Sequence, residues 1–362
     1  MIKVGIIGGG IYGTNLLKAY TQFQSENLCE LKALADANKK VLQEQCSKYF
    51  VTGYNDYRKM FEKEDLDAVA IATPDFLHRE IAIAVAEAGL HIFLEKPMDV
   101  TLEGCQAIID AADKNGVFLE IDFHKRFDPA HIQLAKAVRE GKLGNVEYGY
   151  AWMEDTIEVP TEWLKSWSAK STPAWFLGIH IYDLMRWILN SEPVRVYATG
   201  IKKKLPSLGF DTYDSLQAKV EFENQISITF DSSWVIPKEF PAIVNQGCRL
   251  VGTEGIWEID SQNRGVETVL SADRRTMTPN YYFIREEKDF LGKFKYSGYG
   301  IDCMREFINH VNYLANGGSI KELEGHYASG YEGLQASKIA VAVHESAATG
   351  KIIEIKKIKK RS

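Results

Sequence analysis

Two side chains of this sequence are placed for proton and charge chemistry. Lys96 lies in Glu95-Lys96-Pro97, directly after the apolar run Leu90-His91-Ile92-Phe93-Leu94, and His180 lies in Gly178-Ile179-His180-Ile181-Tyr182-Asp183. An ammonium fixed at a strand end can stabilise developing negative charge, and an imidazole can take a proton near neutral pH. Pro97 is expected to make the bond before it cis, which fixes the direction of the lysine. The segment Gly178–Leu189 reads as a helix whose apolar face is Ile181, Leu184, Met185, Ile188 and Leu189, leaving His180 and Asp183 together on another face. Asp183 could instead orient the helix or pair with Arg186. A third run, Phe123-His124-Lys125-Arg126-Phe127-Asp128-Pro129, adds Lys125 and Arg126. Either could reach a cofactor or a polyhydroxylated substrate, and Arg126 could instead be an ion-pair partner at a domain hinge. The plainer readings are a surface lysine and a capping or packing histidine.

The elements that must position these groups follow a regular rhythm. Strands read at Lys3–Ile7, Leu31–Ala35, Ala68–Ala72, His91–Leu94 and Val117–Ile121, with helices at Tyr12–Phe23, Asn38–Tyr49, Leu77–Ala88 and Leu102–Lys114 between them. Continuous apolar strands alternating with helices predict a parallel sheet covered on both faces, a doubly wound α/β domain. Polar groups then gather where the strands end: Thr73-Pro74-Asp75-Phe76-Leu77-His78, then Glu95-Lys96-Pro97, then the run from Phe123. Ligands bind along that edge. His78 is expected to shape the cofactor loop rather than do chemistry.

The first strand runs into Gly8-Gly9-Gly10-Ile11-Tyr12-Gly13. Gly8 allows the tight turn, Gly10 lets the backbone approach a pyrophosphate, and Gly13 lets the helix pack closely on the sheet. The phosphates would sit at the helix N-terminus around Ile11 and Tyr12. Asp36 ends the second strand, about 20 residues on, where a carboxylate accepts from ribose hydroxyls and repels a 2′-phosphate. NAD is therefore favoured, with Lys39 and Lys40 keeping NADP open. Asp36 could also cap the helix from Asn38. A lysine on this edge lies where a bound nicotinamide would be, which makes the fold a candidate dehydrogenase.

Together the glycine turn, the Thr73-to-His78 loop, Glu95-Lys96-Pro97 and Lys125-Arg126-Phe127-Asp128-Pro129 resemble the Gfo/Idh/MocA oxidoreductases. The resemblance continues through Glu140–Gly144, Gly178–Asp183, Glu332–Leu334 and Glu345–Lys351, and covers nearly the whole chain. It implies an N-terminal Rossmann domain and a C-terminal α/β domain with a large, mostly antiparallel open sheet, whose free face commonly forms subunit contacts. Residues 1–123 would bind NAD(P), and residues 124–362 would bind substrate and form a homo-oligomer, dimer or tetramer. The implied reaction is hydride transfer between nicotinamide and a secondary hydroxyl or ketone of a sugar, cyclitol or glycoside. Lys96 would stabilise the alkoxide and His180 would accept the hydroxyl proton. Cofactor contacts would come from Gly8, Gly10, Ile11, Tyr12, Gly13, Asp36, Thr73, Pro74, His78, Glu95, Lys96, Pro97 and Arg126. Substrate contacts would come from Lys96, Lys125, Trp163, Phe176, His180 and Asp183.

One position departs from the family pattern. Many members place an aspartate four residues before the histidine, and here that residue is Phe176. Glu154, Asp155, Glu158 and Glu162 are candidate replacements. Trp163, Trp167 and Trp175 in the same loop could stack on a sugar face or pack a domain junction. A redox-neutral NAD-dependent glycoside-processing enzyme is a first alternative, and the departure keeps open a non-catalytic NAD-binding regulator, against which the presence of both Lys96 and His180 argues.

Composition agrees with a two-domain enzyme. The chain has 362 residues, 45% hydrophobic and 25% charged, with a net charge of −6. That balance argues against nucleic acid or an anionic membrane as partner. The basic tail Lys356–Arg361 reads as a solvated terminus. Five scattered cysteines without a C-x-x-C pair fit reduced thiols in a cytoplasmic protein. No two histidines have metal spacing, so no metal is expected. The opening residues read as a core strand rather than a signal peptide. Beyond Val146, alternating segments such as Ser227–Ser232 predict the strands of a sheet with two unlike faces.

Overall fold

The computed structural model describes residues 1–261, 265–270, 273–278 and 281–357. The end of the basic tail, from residue 358, lies outside the described residues. The chain begins β1 (Ile2–Ile7), α1 (Ile11–Ser25), β2 (Cys29–Ala35), α2 (Lys39–Tyr49), β3 (Thr52–Tyr54), α3 (Tyr57–Lys63) and β4 (Ala68–Ile71). It continues α4 (His78–Glu87), β5 (His91–Leu94), α5 (Leu102–Asn115), β6 (Leu119–Ile121), α6 (Pro129–Arg139), β7 (Val146–Thr156) and α7 (Ile179–Leu189). Then come β8 (Pro193–Ile201), α8 (Lys204–Ser207), β9 (Ser215–Phe222), β10 (Ser227–Ile236), β11 (Val244–Gly252) and β12 (Gly255–Asp260). The last elements are β13 (Gly265–Leu270), β14 (Asp273–Thr278), β15 (Arg285–Lys288), β16 (Phe294–Ser297), α9 (Tyr299–Ala315), α10 (Gly330–Thr349) and β17 (Ile353–Glu354). Among the described residues no helix is long and apolar enough to cross a membrane.

Met1–His124 and Tyr282–Leu334 form one compact unit; Lys125–Tyr281 and the chain from Gln335 form another. The first holds a six-stranded parallel sheet in the order β3-β2-β1-β4-β5-β6. The order reverses between β1 and β4, so the crevice of this doubly wound sheet opens beyond the ends of those two strands. Every residue of β4 is buried, as both-face coverage requires. Helix α1 buries Leu16, Leu17, Tyr20 and Phe23, each large side chain contributing about 2 kcal/mol. Asn38 caps α2 by accepting from the N–H groups of Lys40 and Val41. Asp36, read as a possible cap for that helix, instead accepts from the Asn38 N–H at 2.7 Å.

Helix α9 belongs to this first unit. Its Phe307 packs on Phe93 of β5 and on Phe118 beside β6, at 5.2 and 6.2 Å between ring centres. His310, one turn on, donates or accepts at 2.9 Å with Glu120, a buried carboxylate in β6. The strand expected from Val117 begins at Leu119.

The second unit is built on a nine-stranded sheet in the order β14-β13-β12-β11-β7-β10-β9-β8-β17. Only β7 and β10 run parallel; every other neighbouring pair is antiparallel. Along β10, Ile228, Phe230 and Ser232 are buried while Thr229 and Asp231 are half-buried. Tyr182 of α7 meets Phe230 edge-on at 5.1 Å, so this helix covers the buried face. The opposite face carries exposed Tyr148, Tyr150 and Tyr197.

The Glu120–His310 pair makes stability of the first unit depend on pH. Burial disfavours the imidazolium, but the hydrogen bond and charge of Glu120 outweigh it and raise the His310 pKa. Burial likewise raises Glu120, against the pull of His310. Both shifts favour the protonated forms in the folded state, so stability is greatest below the ordinary imidazole value and is lost as pH rises through the raised one. Urea midpoints should fall as pH rises above about 6, and His310→Ala should cost about 3 kcal/mol by leaving Glu120 buried without its partner. A wild-type midpoint that rises over this range would contradict the assignment.

Candidate functional site

The glycine turn is shaped by contacts that only hydrogen atoms permit. Gly8 has φ +98°, and a Cβ there would lie 2.3 Å from the Ala72 carbonyl oxygen. A Cβ on Gly13 would lie 1.9 Å from the Gly8 carbonyl oxygen, so the first turn of α1 closes directly on the strand. Gly10 is different, because a Cβ there would meet nothing within 4 Å. Asp36 braces the turn from β2, accepting from the Gly9 N–H at 2.7 Å. Ile11 stays exposed, whereas the Tyr12 hydroxyl reaches across the edge and donates to Asp122.

These features fit a dinucleotide. Helix α1 has no side-chain cap and no acidic residue in its first turn. Its N–H groups and positive end can therefore face a pyrophosphate over the open space at Gly10. Farther along the edge, Thr73 Oγ1 and Glu95 Oε1 are buried with no hydrogen-bond partner among the described residues. Buried polar atoms are normally paired, so these two are suited to the amide and hydroxyl groups of such a ligand.

Beyond β4 and β5 the edge is tied together by His78. Its Nδ1 lies 2.7 Å from the Pro97 carbonyl oxygen and its Nε2 lies 2.9 Å from the Thr73 carbonyl oxygen. The imidazole therefore fixes the Thr73-Pro74 turn to the Glu95-Lys96-Pro97 turn, and burial lowers its pKa. The Lys96–Pro97 peptide bond is cis, as the sequence predicts. Lys96 is 9% exposed and Glu95 6%.

Asp122, which motif reading missed, follows β6 and is wholly buried. It accepts from Tyr12 and from the Cys303 thiol at 3.3 Å, and His124 Nδ1 lies 3.4 Å away. The signal was present in Glu120-Ile121-Asp122-Phe123-His124, where acids interrupt an otherwise apolar strand.

In the second unit, His180 is the second residue of α7 and 4% exposed. Asp183 receives both Nε and Nη2 of Arg126, at 2.8 and 2.6 Å, and Arg186 Nη1 lies 3.7 Å from it. Arg186 is itself bidentate on Glu192. Arg126 and Asp183 thus hold each other, the ion-pair arrangement weighed for both. Lys125 donates to Gln246 of β11. Immediately before α7 the backbone makes a π-helical turn at Ala174–Gly178, and another lies at Val159–Trp163. Such turns often mark functional segments. Phe176 meets Trp167 at 6.2 Å and Trp234 at 5.8 Å between ring centres. Trp163 is exposed, and Trp175 stacks on His344. Of the acids proposed to replace the aspartate, Glu154 accepts from Asn245 at 2.8 Å and Glu162 pairs with Lys238 at 3.1 Å. Asp155 is buried at the end of β7, and Glu158 precedes the first π-helical turn.

The unlike surroundings of the glycines give a direct test. Gly10→Val should fold with a stability change within about 0.5 kcal/mol while weakening NADH binding at least about tenfold. Gly13→Ala should lose thermal stability outright. Fluorescence titration with NADH and a melting curve check both.

Residues 2–123 match the model described as oxidoreductase family, NAD-binding Rossmann fold, and residues 131–258 match the GFO/IDH/MocA C-terminal domain. The chain is 26% identical to the uncharacterized oxidoreductase YrbE of Bacillus subtilis, over 99% of this chain and 98% of that one. It is 30% identical to an inositol 2-dehydrogenase of Salmonella typhimurium, over 54% of this chain and 57% of that one. That match spans little more than half of the relative. A solved levoglucosan dehydrogenase, in complex with NADH and levoglucosan, superposes with a TM-score of 0.80 at 24% identity, covering 98% of this chain and 100% of that one; at that identity it speaks for the fold. The chain belongs to the Gfo/Idh/MocA oxidoreductase family, and its N-terminal part is that family's NAD-binding Rossmann fold.

Proposed function

We propose that this protein is an NAD(P)-dependent dehydrogenase or reductase acting on a secondary hydroxyl or ketone of a sugar, cyclitol or glycoside. The observation that carries the reading is Lys96, a buried lysine before a cis-proline on the same sheet edge as an uncapped, open glycine turn. The inositol and levoglucosan dehydrogenases among its relatives and fold neighbours support the substrate class. Bound at this edge, nicotinamide would accept or supply the hydride. Lys96 stabilises the charge left on the substrate oxygen, and His180 takes the hydroxyl proton. Asp36 accepts from the adenosine ribose and favours NAD over NADP. Gly8, Gly10, Ile11, Tyr12, Gly13, Thr73, Pro74, His78, Glu95 and Pro97 shape the cofactor edge. Arg126 and Asp183 act as a pair that orients α7 and its histidine. Lys125, Trp163 and Phe176 line the substrate's surroundings, with Trp163 offering an exposed ring to a sugar face. Residues 1–123 hold the cofactor, and residues 124–362 hold the substrate and self-associate in the cytoplasm.

Phe176 favours one second reading. A phenyl ring cannot accept the hydroxyl hydrogen bond that an aspartate accepts, so the usual polyol-dehydrogenase set is incomplete, and an enzyme that oxidises a glycoside only transiently is the second reading. Such an enzyme would keep its cofactor and release no net NADH, so a screen of sugars, cyclitols and glycosides for NADH formation separates the two.

Lys96→Ala and His180→Asn should each lower turnover by about 10²- to 10⁴-fold, with NADH affinity changed by less than about tenfold. Because both act on one hydroxyl, the double variant should be little worse than the poorer single one. Fully additive losses would separate their roles. Asp36→Ala should weaken NAD more than NADP, measured by paired titrations; an equal loss would remove the ribose assignment.

A further inference from the structure

Two carboxyl groups are buried side by side at the edge that carries Lys96. Glu95 ends β5 and Asp122 ends β6, and the Asp122 N–H donates to the Leu94 carbonyl oxygen at 2.9 Å, so the strands hold both groups at one level. The register that pairs Leu94 with Ile121 sets the next residues, Glu95 and Asp122, beside each other, both buried, and a hydrogen bond between two carboxyl groups needs a proton on one of them. Asp122 also takes the Tyr12 hydroxyl and the Cys303 thiol, with His124 Nδ1 at 3.4 Å. Donors therefore converge on Asp122, while Glu95 Oε1 has no partner among the described residues. The groups facing the pair are Tyr12 and Tyr20 from α1, Lys96 beside Glu95, Glu120 from β6, His124 beyond it and Cys303 from α9.

The charge states follow the donors. Burial alone would raise both acids. His124, with Nδ1 3.4 Å away, and the Glu95 and Tyr12 side chains overcome it at Asp122 and hold that carboxyl down at about 2. At Glu95, burial and the neighbouring Asp122 charge push the pKa well above the ordinary value. The same burial raises the Tyr12 hydroxyl and the Cys303 thiol, which therefore stay protonated as donors.

We propose that Glu95 and Asp122 share a single proton, and that Asp122 is a positioning residue joining the glycine turn, through Tyr12, to the Glu95-Lys96-Pro97 turn. Glu95 works as a neutral acid that donates to Asp122 and presents its second oxygen at the cofactor edge. The edge beside Lys96 then carries one negative charge from this pair instead of two. Raising the pH through the raised Glu95 value adds the second charge and opposes an anionic ligand. The inference rests on the proposed cofactor site, but its first test needs no ligand.

Infrared difference spectroscopy on the full chain at neutral pH, wild type minus Glu95→Gln, should show loss of a carboxylic-acid carbonyl band. A difference spectrum that loses an ionised carboxylate instead overturns the shared proton. Tyr12→Phe removes one hydroxyl and should keep the acid band but shift it, because Asp122 then holds the proton more tightly; an unshifted band removes Tyr12 from the chain. In fluorescence titrations wild type should bind NADH more weakly as pH rises through the raised Glu95 value, and Glu95→Gln should lose that pH dependence; a dependence kept in Glu95→Gln would overturn the assignment. Asp122→Asn should bind about tenfold more weakly, the effect of a lost charge-assisted hydrogen bond. Equal affinity in wild type and Asp122→Asn would overturn the positioning role. Failure of the wild type to bind NADH at all would sink the proposed function and leave the infrared result standing.

Discussion

A parallel sheet covered on both faces has no room for an unpaired charge along its strands. Burying one costs more than most local contacts return, so polar side chains are confined to the strand ends. β4 obeys this closely, and so do β1 and β5 beyond Lys3 and His91 near their starts, with the glycine turn, Thr73-Pro74 and Glu95-Lys96-Pro97 following the apolar residues. Glu120, a wholly buried acid within β6 at the sheet's border, has His310 against it. The position of the candidate site is thus a result of what the core cannot hold.

What keeps that edge in shape is a set of side chains bonded to backbone and to one another. Asp36 holds Gly9 from the next strand, His78 spans two carbonyl oxygens, and Asp122 gathers donors from α1 and α9. None of these bonds lies within a helix or a ladder, so each joins loops that would otherwise move independently. Rigid loops on a rigid sheet are what hydride chemistry needs, because small errors of position cost large factors in rate. The second unit uses the same device at Arg126, Asp183, Arg186 and Glu192, where charges lock the helix that carries His180.

Much of this was legible in the residues. Apolar runs of four to six residues marked β1, β2, β4 and β5 within about two positions, because burial on both faces leaves a continuous signal. The glycines and Pro97 marked turns that only those residues make easily. Other features left no local trace. β3 is a short, largely exposed edge strand with nothing for a pattern to detect. The π-helical turn before α7 falls largely in a segment that reads in sequence as loop, so Phe176 appears there simply as the residue four before His180. The cap of α2 is Asn38, which competes with Asp36 two positions earlier on equal chemical terms. Tyr12 and Asp122 are far apart in the chain, and nothing in either segment names the other. Lone motifs therefore indicated the site, whereas the bonds that hold it needed the fold.

The aromatic packing of α9 against Phe93 and Phe118 has a consequence for how the chain is made. The first unit contains residues from both ends of a long interval, Met1–His124 and Tyr282–Leu334, with most of the second unit between them. A ribosome releasing the chain from its N-terminus therefore delivers the parallel sheet early and the helix that covers β5 and β6 late. Until residues near Phe307 emerge, Phe93 and Phe118 lack their cover, and the nascent sheet has an apolar surface to shield. Domains usually complete in the order they are synthesised. Here eight of the nine strands of the second sheet, all but β17, are made while the nucleotide-binding half is still waiting for α9.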